Sequence, residues 1–272
     1  MTMTTDEYLV FGLAATVQPG DVVVIGVATP IAAAAALVAR ESLVDDVTVI
    51  AAATVDPAIH DLAEAMVAPE ILDRLGVGTF TQSEILDQIQ RGRISRQFVS
   101  PAQVDGLGRL NTSRIRRPDG SWLRLPGGLA TADIAVLMGS LVAYRADHSP
   151  RFLPAEVDFV TGAGHERGDA WRRERDLPGS GVRGIVTDKA VLTWEDGWRA
   201  ASVRPGVAAA EVAAGCGFPV TVAADVPTTP EPPAEALELL RTEIDPLGIR
   251  RLEVRETRAA AAADLARWAA GR

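Results

Sequence analysis

Residues 100–128, SPAQVDGLGRLNTSRIRRPDGSWLRLPGG, hold the densest set of charge-stabilising groups in the chain. Gln103 and Asn111 flank a Gly106-x-Gly108 turn, and Arg124 stands just before Leu125-Pro126-Gly127-Gly128. Backbone N–H groups presented by glycine turns, together with a planar guanidinium, stabilise negative charge on a carboxylate, a phosphate or a polarised carbonyl oxygen. The chemistry on offer is therefore the stabilisation of negative charge on an anionic or carbonyl ligand. Arg124 lies on a strand-like segment, Trp122-Leu123-Arg124-Leu125, where an ordinary surface arginine fits the pattern better than a ligand contact does. Gln103 and Asn111 either face a ligand or partner or satisfy the backbone of the turn.

Other polar groups are less promising. His60, His148 and His165 are too far apart for a metal-ligand motif, and each is expected at the surface or as a cap. His148 and Ser149 are too close in sequence to form a relay. There is no P-loop and no G-x-G-x-x-G. Cys216 follows an alanine-rich segment and is expected to be an inert packed thiol. Gly162-Ala163-Gly164-His165 is expected to be a flexible loop. Arg172, Arg173 and Arg175, interleaved with Glu174 and Asp176, are expected to be solvated.

The elements that must position these residues follow from periodicity. Residues 5–17 have helical spacing and end at Pro19-Gly20. Residues 21–26 are a β-branched run. Thr29 offers an N-cap hydroxyl and Pro30 a preset first turn for a helix over 31–42, and Val47-Thr48-Val49-Ile50 is the next buried strand. Strand, helix, strand at this spacing predicts a βαβ unit and a parallel sheet. Further strands are expected at 96–99, 157–161 and 218–223, a hairpin at 184–187 with 190–194, and helices at 80–89, 207–214, 234–242 and 256–268. Residues 134–144 fit either helix or strand, and residues 226–233 (VPTTPEPP) form an extended spacer.

With 272 residues, 47% of them apolar, the chain can bury a sizeable core; one α/β domain is the default. A net charge of −9 argues against nucleic acid or an anionic membrane as partner. The single cysteine rules out an intramolecular disulfide and fits a cytoplasmic setting. The start MTMTTDEYLV lacks a basic region and does not resemble a signal peptide. The longest apolar run, residues 22–39, is broken by Gly26, Thr29 and Pro30 and is not expected to span a membrane.

Six segments, in this order and spacing, resemble the beta subunits of heteromeric family I CoA transferases: PAQVDGLGRLNTS (101–113), RLPGG (124–128), VDFVT (157–161), GIVTDKAVLTW (184–194), SVRPGVAAAEVAAGCGF (202–218) and VPTTPEPPAEALELLRTEIDPLGIRRLE (226–253). Within that family the likeness is strongest to the small subunits of steroid ring-cleaving hydrolases. The resemblance implies an α/β fold of CoA-transferase type, with a mainly parallel sheet flanked by helices, over residues 1–253, followed by a helical tail over 254–272. It implies an alpha-subunit partner in an αβ or α₂β₂ assembly. The substrate would be an acyl-CoA, with no cofactor apart from the coenzyme A that the substrate carries, and no metal.

Transferases of this family carry a nucleophilic glutamate after an early strand of the beta subunit. The matching residues 49–56 contain none; the one carboxylate there, Asp56, comes late and precedes Pro57. The resemblance then implies that this chain carries no catalytic residue and that the base belongs to the alpha subunit. Gly127, Gly128 and Arg124 would stabilise the oxyanion, with Gln103 and Asn111 beside them. Leu129 and Ala130 stand where the family usually has glycine, and a positive φ at Leu129 would be costly. The implied function is retro-Claisen cleavage of a ring carbon–carbon bond in a sterol-derived cyclic acyl-CoA, as part of steroid catabolism. Two alternatives stay open: a glutaconate CoA-transferase-like transferase that uses Asp56, and a non-catalytic scaffold subunit.

Overall fold

Val22-Val23-Val24-Ile25 is buried strand material, and it forms β1 (Val22–Ile25). β2 (Thr48–Ala51) runs parallel to it, from Val22 opposite Thr48 to Ile25 opposite Ala51. The crossover between them is helix α2 (Pro30–Val38), which is buried on every side and therefore built almost entirely of alanine and aliphatic residues. These elements belong to the first of two compact units in the computed structural model, which describes residues 3–26 and 28–271. Met1, Thr2, Val27 and Arg272 lie outside the described residues.

The first unit comprises residues up to 87, residues 96–98 and residues from 230 onward. Its strand order is β5-β1-β2-β3-β4, with β3 (Thr54–Val55), β4 (Gly78–Thr79) and β5 (Arg96–Val99). The β1–β2 and β1–β5 pairs are parallel, and β3 and β4 are added antiparallel. Thr29 is the N-cap residue of α2 by position, but its hydroxyl donates to the Gly26 carbonyl (2.8 Å). The Ile31 N–H in the first turn of α2 donates instead to the Glu253 carboxylate, 2.8 Å away. α2 ends earlier than expected as a regular helix and continues as a π-helical turn, Ala39–Leu43.

Helix α1 (Thr5–Ala14) is also buried throughout, including Asp6 and Glu7 in its first turn. Burying carboxylates is costly unless they are paired. Arg250 meets Asp6 Oδ2 at 2.8 Å and Asp245 Oδ2 at 2.9 Å, and Arg241 meets Glu7 Oε1 at 2.7 Å. Burial acts against ionisation of Glu7, but the hydrogen bonds from Arg241 and the Thr4 N–H win. They hold its carboxyl down at about 2, from an ordinary 4.5.

The second unit comprises residues 88–95 and 99–229. Its larger sheet has the order β14-β13-β12-β11-β10. Two short antiparallel pairs stand apart from it: β6 (Gln103–Val104) with β7 (Leu110–Asn111), and β8 (Arg114–Arg116) with β9 (Trp122–Arg124). β10 (Ser140–Arg145) pairs parallel to β11 (Val182–Thr187), and β11 forms the expected hairpin with β12 (Ala190–Trp194). β13 (Trp198–Val203) follows antiparallel, and β14 (Val220–Thr221) pairs parallel to β13. The chain thus has the expected α/β class; parallel pairs lie at the heart of the first unit, whereas in the second the central β11-β12-β13 strands are antiparallel and the parallel pairs flank them.

Three expectations need correction. The ambiguous 134–144 run divides, with helix Thr131–Leu137 ending before β10 begins at Ser140. Residues 157–161 are not a strand: Val157 N–H donates to Asp105 Oδ2 and Asp158 N–H to Gln103 Oε1, so side chains take the place of a ladder. β13 was not anticipated, although Trp198, Ala200 and Val203 are buried while Arg199 and Ala201 are exposed, the signature of a half-buried strand. Among the described residues no helix is long and apolar enough to cross a membrane.

Arg250→Ala should lower the unfolding free energy by about 3–5 kcal/mol, because the buried carboxylates of Asp6 and Asp245 lose their ion-pair partner. Urea denaturation measures it. The stabilisation from ionised Glu7 is complete above pH 4.5 and is lost as pH falls toward 2, so Glu7→Gln should flatten the acid limb of stability in that window.

Candidate functional site

The β8–β9 ribbon pairs Arg114 with Arg124, Ile115 with Leu123 and Arg116 with Trp122. Beyond β9 the pairing continues, since Leu125 N–H donates to the Ser113 carbonyl (2.9 Å) and Gly127 N–H to the Thr112 carbonyl (3.0 Å). Gly127 adopts φ +109°, a conformation open to glycine, and turns the chain out of the ribbon. Its N–H is spent on Thr112 and is not available to an oxyanion. Thr131 N–H closes the turn onto the Gly128 carbonyl (2.7 Å), and helix Thr131–Leu137 begins.

The N–H groups of Gly128, Leu129 and Ala130 donate to no other group among the described residues. They form the donor set of the loop. Leu129 has φ +44° and is 93% exposed, so the left-handed conformation is kept here without glycine. Such a conformation costs roughly 1–2 kcal/mol in a non-glycine residue, and no packing of the Leu129 side chain offsets it. Gly128 packs close to Thr161; a Cβ there would come within 3.0 Å of Thr161 Cγ2.

Gln103 and Asn111 lie beneath the ribbon rather than beside a ligand. Asn111 is fully buried; its Nδ2 donates to Gln103 Oε1 (2.7 Å) and to the Arg114 carbonyl (2.7 Å), and its Oδ1 accepts from Ser113 N–H (3.1 Å) and Arg114 N–H (3.3 Å). Gln103 Nε2 donates to Asp158 Oδ2 (3.0 Å), which also accepts from Arg116 N–H (3.1 Å). Thr161 Oγ1 adds contacts to Thr112 N–H (3.1 Å) and the Ser113 hydroxyl (2.8 Å). Of the five expected site residues, the structure thus places Arg124 and Gly128 at the exposed edge, uses Gly127 to make the turn, and uses Gln103 and Asn111 as supports.

The stretch after β2 behaves differently. Ala52 (φ 47°), Ala53 (φ 75°) and Asp56 (φ 45°) all have left-handed backbone. Asp56 Oδ1 accepts from Val49 N–H (2.7 Å) and lies 3.5 Å from Arg40 Nη1, so its carboxylate is folded back onto its own strand. Thr54 is fully buried and donates to Asp73 Oδ1 (3.1 Å).

Several sequence expectations about other groups are overturned. His148 and His165 are buried, not superficial. His165 stacks on Trp194 with 4.1 Å between ring centres and donates from Nε2 to the Val182 carbonyl (2.8 Å). His148 donates from Nε2 to the Val212 carbonyl (2.9 Å) and meets the Thr187 hydroxyl at Nδ1 (2.7 Å). Burial pushes the pKa of both rings down. The 162–165 loop is pinned, with His165 N–H on the Leu107 carbonyl (2.7 Å) and the Gly164 carbonyl on Arg172. Arg172 is not solvated: its guanidinium is buried and donates to the carbonyls of Ala135, Val136, Gly164 and Gly179. Burial raises the Cys216 thiol to about 11, as suits an inert thiol. No group of three or more His, Cys, Asp or Glu among the described residues could hold a metal ion.

No protein-family model matches the chain. Over 256 residues it is 28% identical to the B component of 3-oxoadipate CoA-transferase from Pseudomonas knackmussii, covering 88% of this chain and 92% of that protein. A 114-residue stretch is 32% identical to the IpdB component of the cholesterol ring-cleaving hydrolase of Rhodococcus jostii, covering 39% of this chain and 43% of that protein. Among solved structures, the decarboxylase AibA/AibB superposes with a TM-score of 0.78 at 28% identity, over 93% of this chain and 99% of that one. Glutaconate coenzyme A-transferase from Acidaminococcus fermentans (TM-score 0.76, 22% identity, 90% and 96% coverage) shares the fold. The chain shares the fold of the family I CoA transferases and resembles their beta subunits in sequence over most of its length.

Asn111→Ala should destabilise the chain by about 2–3 kcal/mol, because it leaves Gln103 and the Arg114 main chain without buried partners. Arg124→Ala should change stability by less than about 0.5 kcal/mol. Chemical denaturation of both variants checks the division between support and exposed edge.

Proposed function

We propose that this chain is the beta subunit of a heteromeric enzyme that cleaves a carbon–carbon bond in an acyl-CoA, hydrolytically and in a cyclic, sterol-derived thioester. One observation carries the proposal. The turn after β2 presents Ala51, Ala52 and Ala53, and the nearby carboxylate of Asp56 is engaged by Val49 N–H and Arg40. A transferase needs a free carboxylate to carry CoA covalently. What the chain does present is a set of unspent N–H donors at Gly128, Leu129 and Ala130, close in sequence to the guanidinium of Arg124.

In this reading a base on the alpha subunit takes a proton from water, and the hydroxide oxygen bonds to the ring ketone carbon. The adjacent ring bond breaks, its electron pair passes to the carbon α to the thioester, and the charge spreads onto the thioester oxygen. The N–H set and Arg124 hold that oxygen. Protonation of the α-carbon completes the step, leaving a carboxylic acid where the ketone was. No separate cofactor is required.

A second reading, decarboxylation, is favoured by the near full-length likeness to AibA/AibB. It would use the same donors, because the electron pair of the broken bond again comes to rest in a conjugated thioester system.

Assay of the chain with its alpha subunit separates these readings from a transferase. Borohydride or hydroxylamine trapping with an acyl-CoA should leave no adduct on this chain; an adduct on Asp56 would overturn the proposal. Arg124→Ala should lower kcat by roughly 10²-fold with assembly intact. Unchanged turnover would instead identify a scaffold subunit.

A further inference from the structure

Side chains alternate across a strand. The ribbon register therefore places Arg114, Arg116, Trp122 and Arg124 on one face, and Ile115 and Leu123 on the other. Arg114 and Arg124 are directly opposed, and like charges in that position destabilise a sheet. None of the three guanidinium groups has a carboxylate within ion-pair distance among the described residues. By contrast Arg40, Arg96, Arg109, Arg183, Arg241 and Arg250 are all paired. The nearby acids are committed elsewhere, Asp119 to Ser121 and Asp158 to Gln103 Nε2 and Arg116 N–H.

Aromatic rings, not carboxylates, order Arg114 and Arg116. Arg114 lies 4.4 Å from the ring centre of Trp122 and 4.4 Å from that of Phe159, while Arg116 lies 4.7 Å from Trp122. In a chain of net charge −9, three guanidinium groups without a carboxylate partner on one exposed face, two of them oriented by aromatic rings, make a receptor for concentrated negative charge. The face carries no aliphatic side chain, unlike the core of a protein interface.

We infer that this face binds the phosphate groups of the coenzyme A nucleotide, with Arg114 and Arg116 as the clamp. The inference rests on the acyl-CoA reading above and adds a nucleotide subsite to it. Guanidinium groups meet phosphate oxygens in pairs, which favours phosphate over a diffuse anionic surface. The ribbon also supplies the right spacing. From the Thr112–Gly127 rung, beside the free N–H groups, to Arg116 is four residues, roughly 13 Å at about 3.3 Å per residue. A pantetheine arm bridges such a distance, so the thioester and the phosphates are served by two ends of one ribbon.

The test measures binding of CoA, dephospho-CoA and pantetheine to the complex with its alpha subunit, by calorimetry, for the native chain and for Arg116→Gln, Arg116→Lys and the double variant Arg114→Gln/Arg116→Gln. CoA affinity should fall about 10-fold in the single glutamine variant and further in the double one, while pantetheine affinity stays unchanged. Arg116→Lys should lie between the native chain and Arg116→Gln, which guards against a misfolded variant. Native-like CoA affinity in the variants overturns the inference. So do equal losses for CoA and pantetheine, and weakened subunit association with unaltered CoA affinity, which would mark a protein-docking face. CoA has no scissile carbon–carbon bond, so these results stand whichever reaction the complex performs.

Discussion

The carboxamide of Asn111 is the constraint on which the candidate site depends. With no exposure to water it must make its bonds inside the protein. It does so by joining Gln103 on β6 to the main chain of Ser113 and Arg114 at the start of the ribbon. Gln103 passes the restraint on to Asp158, and Asp158 to Arg116 N–H. The ribbon is exposed along most of its length and has little apolar area of its own to bury. Its direction comes from this chain of polar contacts at its base, which is why the glycine loop and the arginine face start from a fixed point.

Backbone strain is concentrated at two places, the loop before helix Thr131–Leu137 and the turn after β2. Leu129 keeps a left-handed conformation that glycine would adopt freely, and the turn after β2 holds three non-glycine residues, Ala52, Ala53 and Asp56, in the same region. Such conformations persist only where surrounding bonds fix them. Phe80 N–H donates to the Ala53 carbonyl and Asp56 N–H to the Val49 carbonyl, so the second turn is tied at several points. The turn after β2 therefore holds its shape through main-chain bonds, with no glycine at Ala52, Ala53 or Asp56.

Much of the fold was legible in the sequence, because β1, β2 and the β11–β12 hairpin are short apolar runs bounded by turn residues. That Gln103, Asn111, Arg124 and the two glycines gather on one ribbon and its base follows from their closeness in sequence. Their roles do not. Whether a carboxamide faces outward or inward depends on which distant group it meets, and Asp158 is 55 residues from Gln103. The same holds for Arg172: its arginine-rich neighbourhood suggested a solvated loop, yet the carbonyls that enclose it come from residues 135, 136, 164 and 179. Residues 157–161 misled for a related reason, as β-branched composition says nothing about whether side chains or a neighbouring strand will take the N–H groups.

The bond between Glu253 and the first turn of α2 has a bearing on how the protein is made. It joins positions 222 residues apart, and the unit that contains both is interrupted by the whole of the other one. At about 5–20 residues per second, the ribosome needs roughly 7 to 30 seconds to cover the stretch between residues 87 and 230. During that time Asp6 and Glu7 have no Arg241 or Arg250 to meet. The middle of the polypeptide, apart from residues 96–98, is therefore ready first, and the βαβ segment waits, incomplete, for the residues from 230 onward.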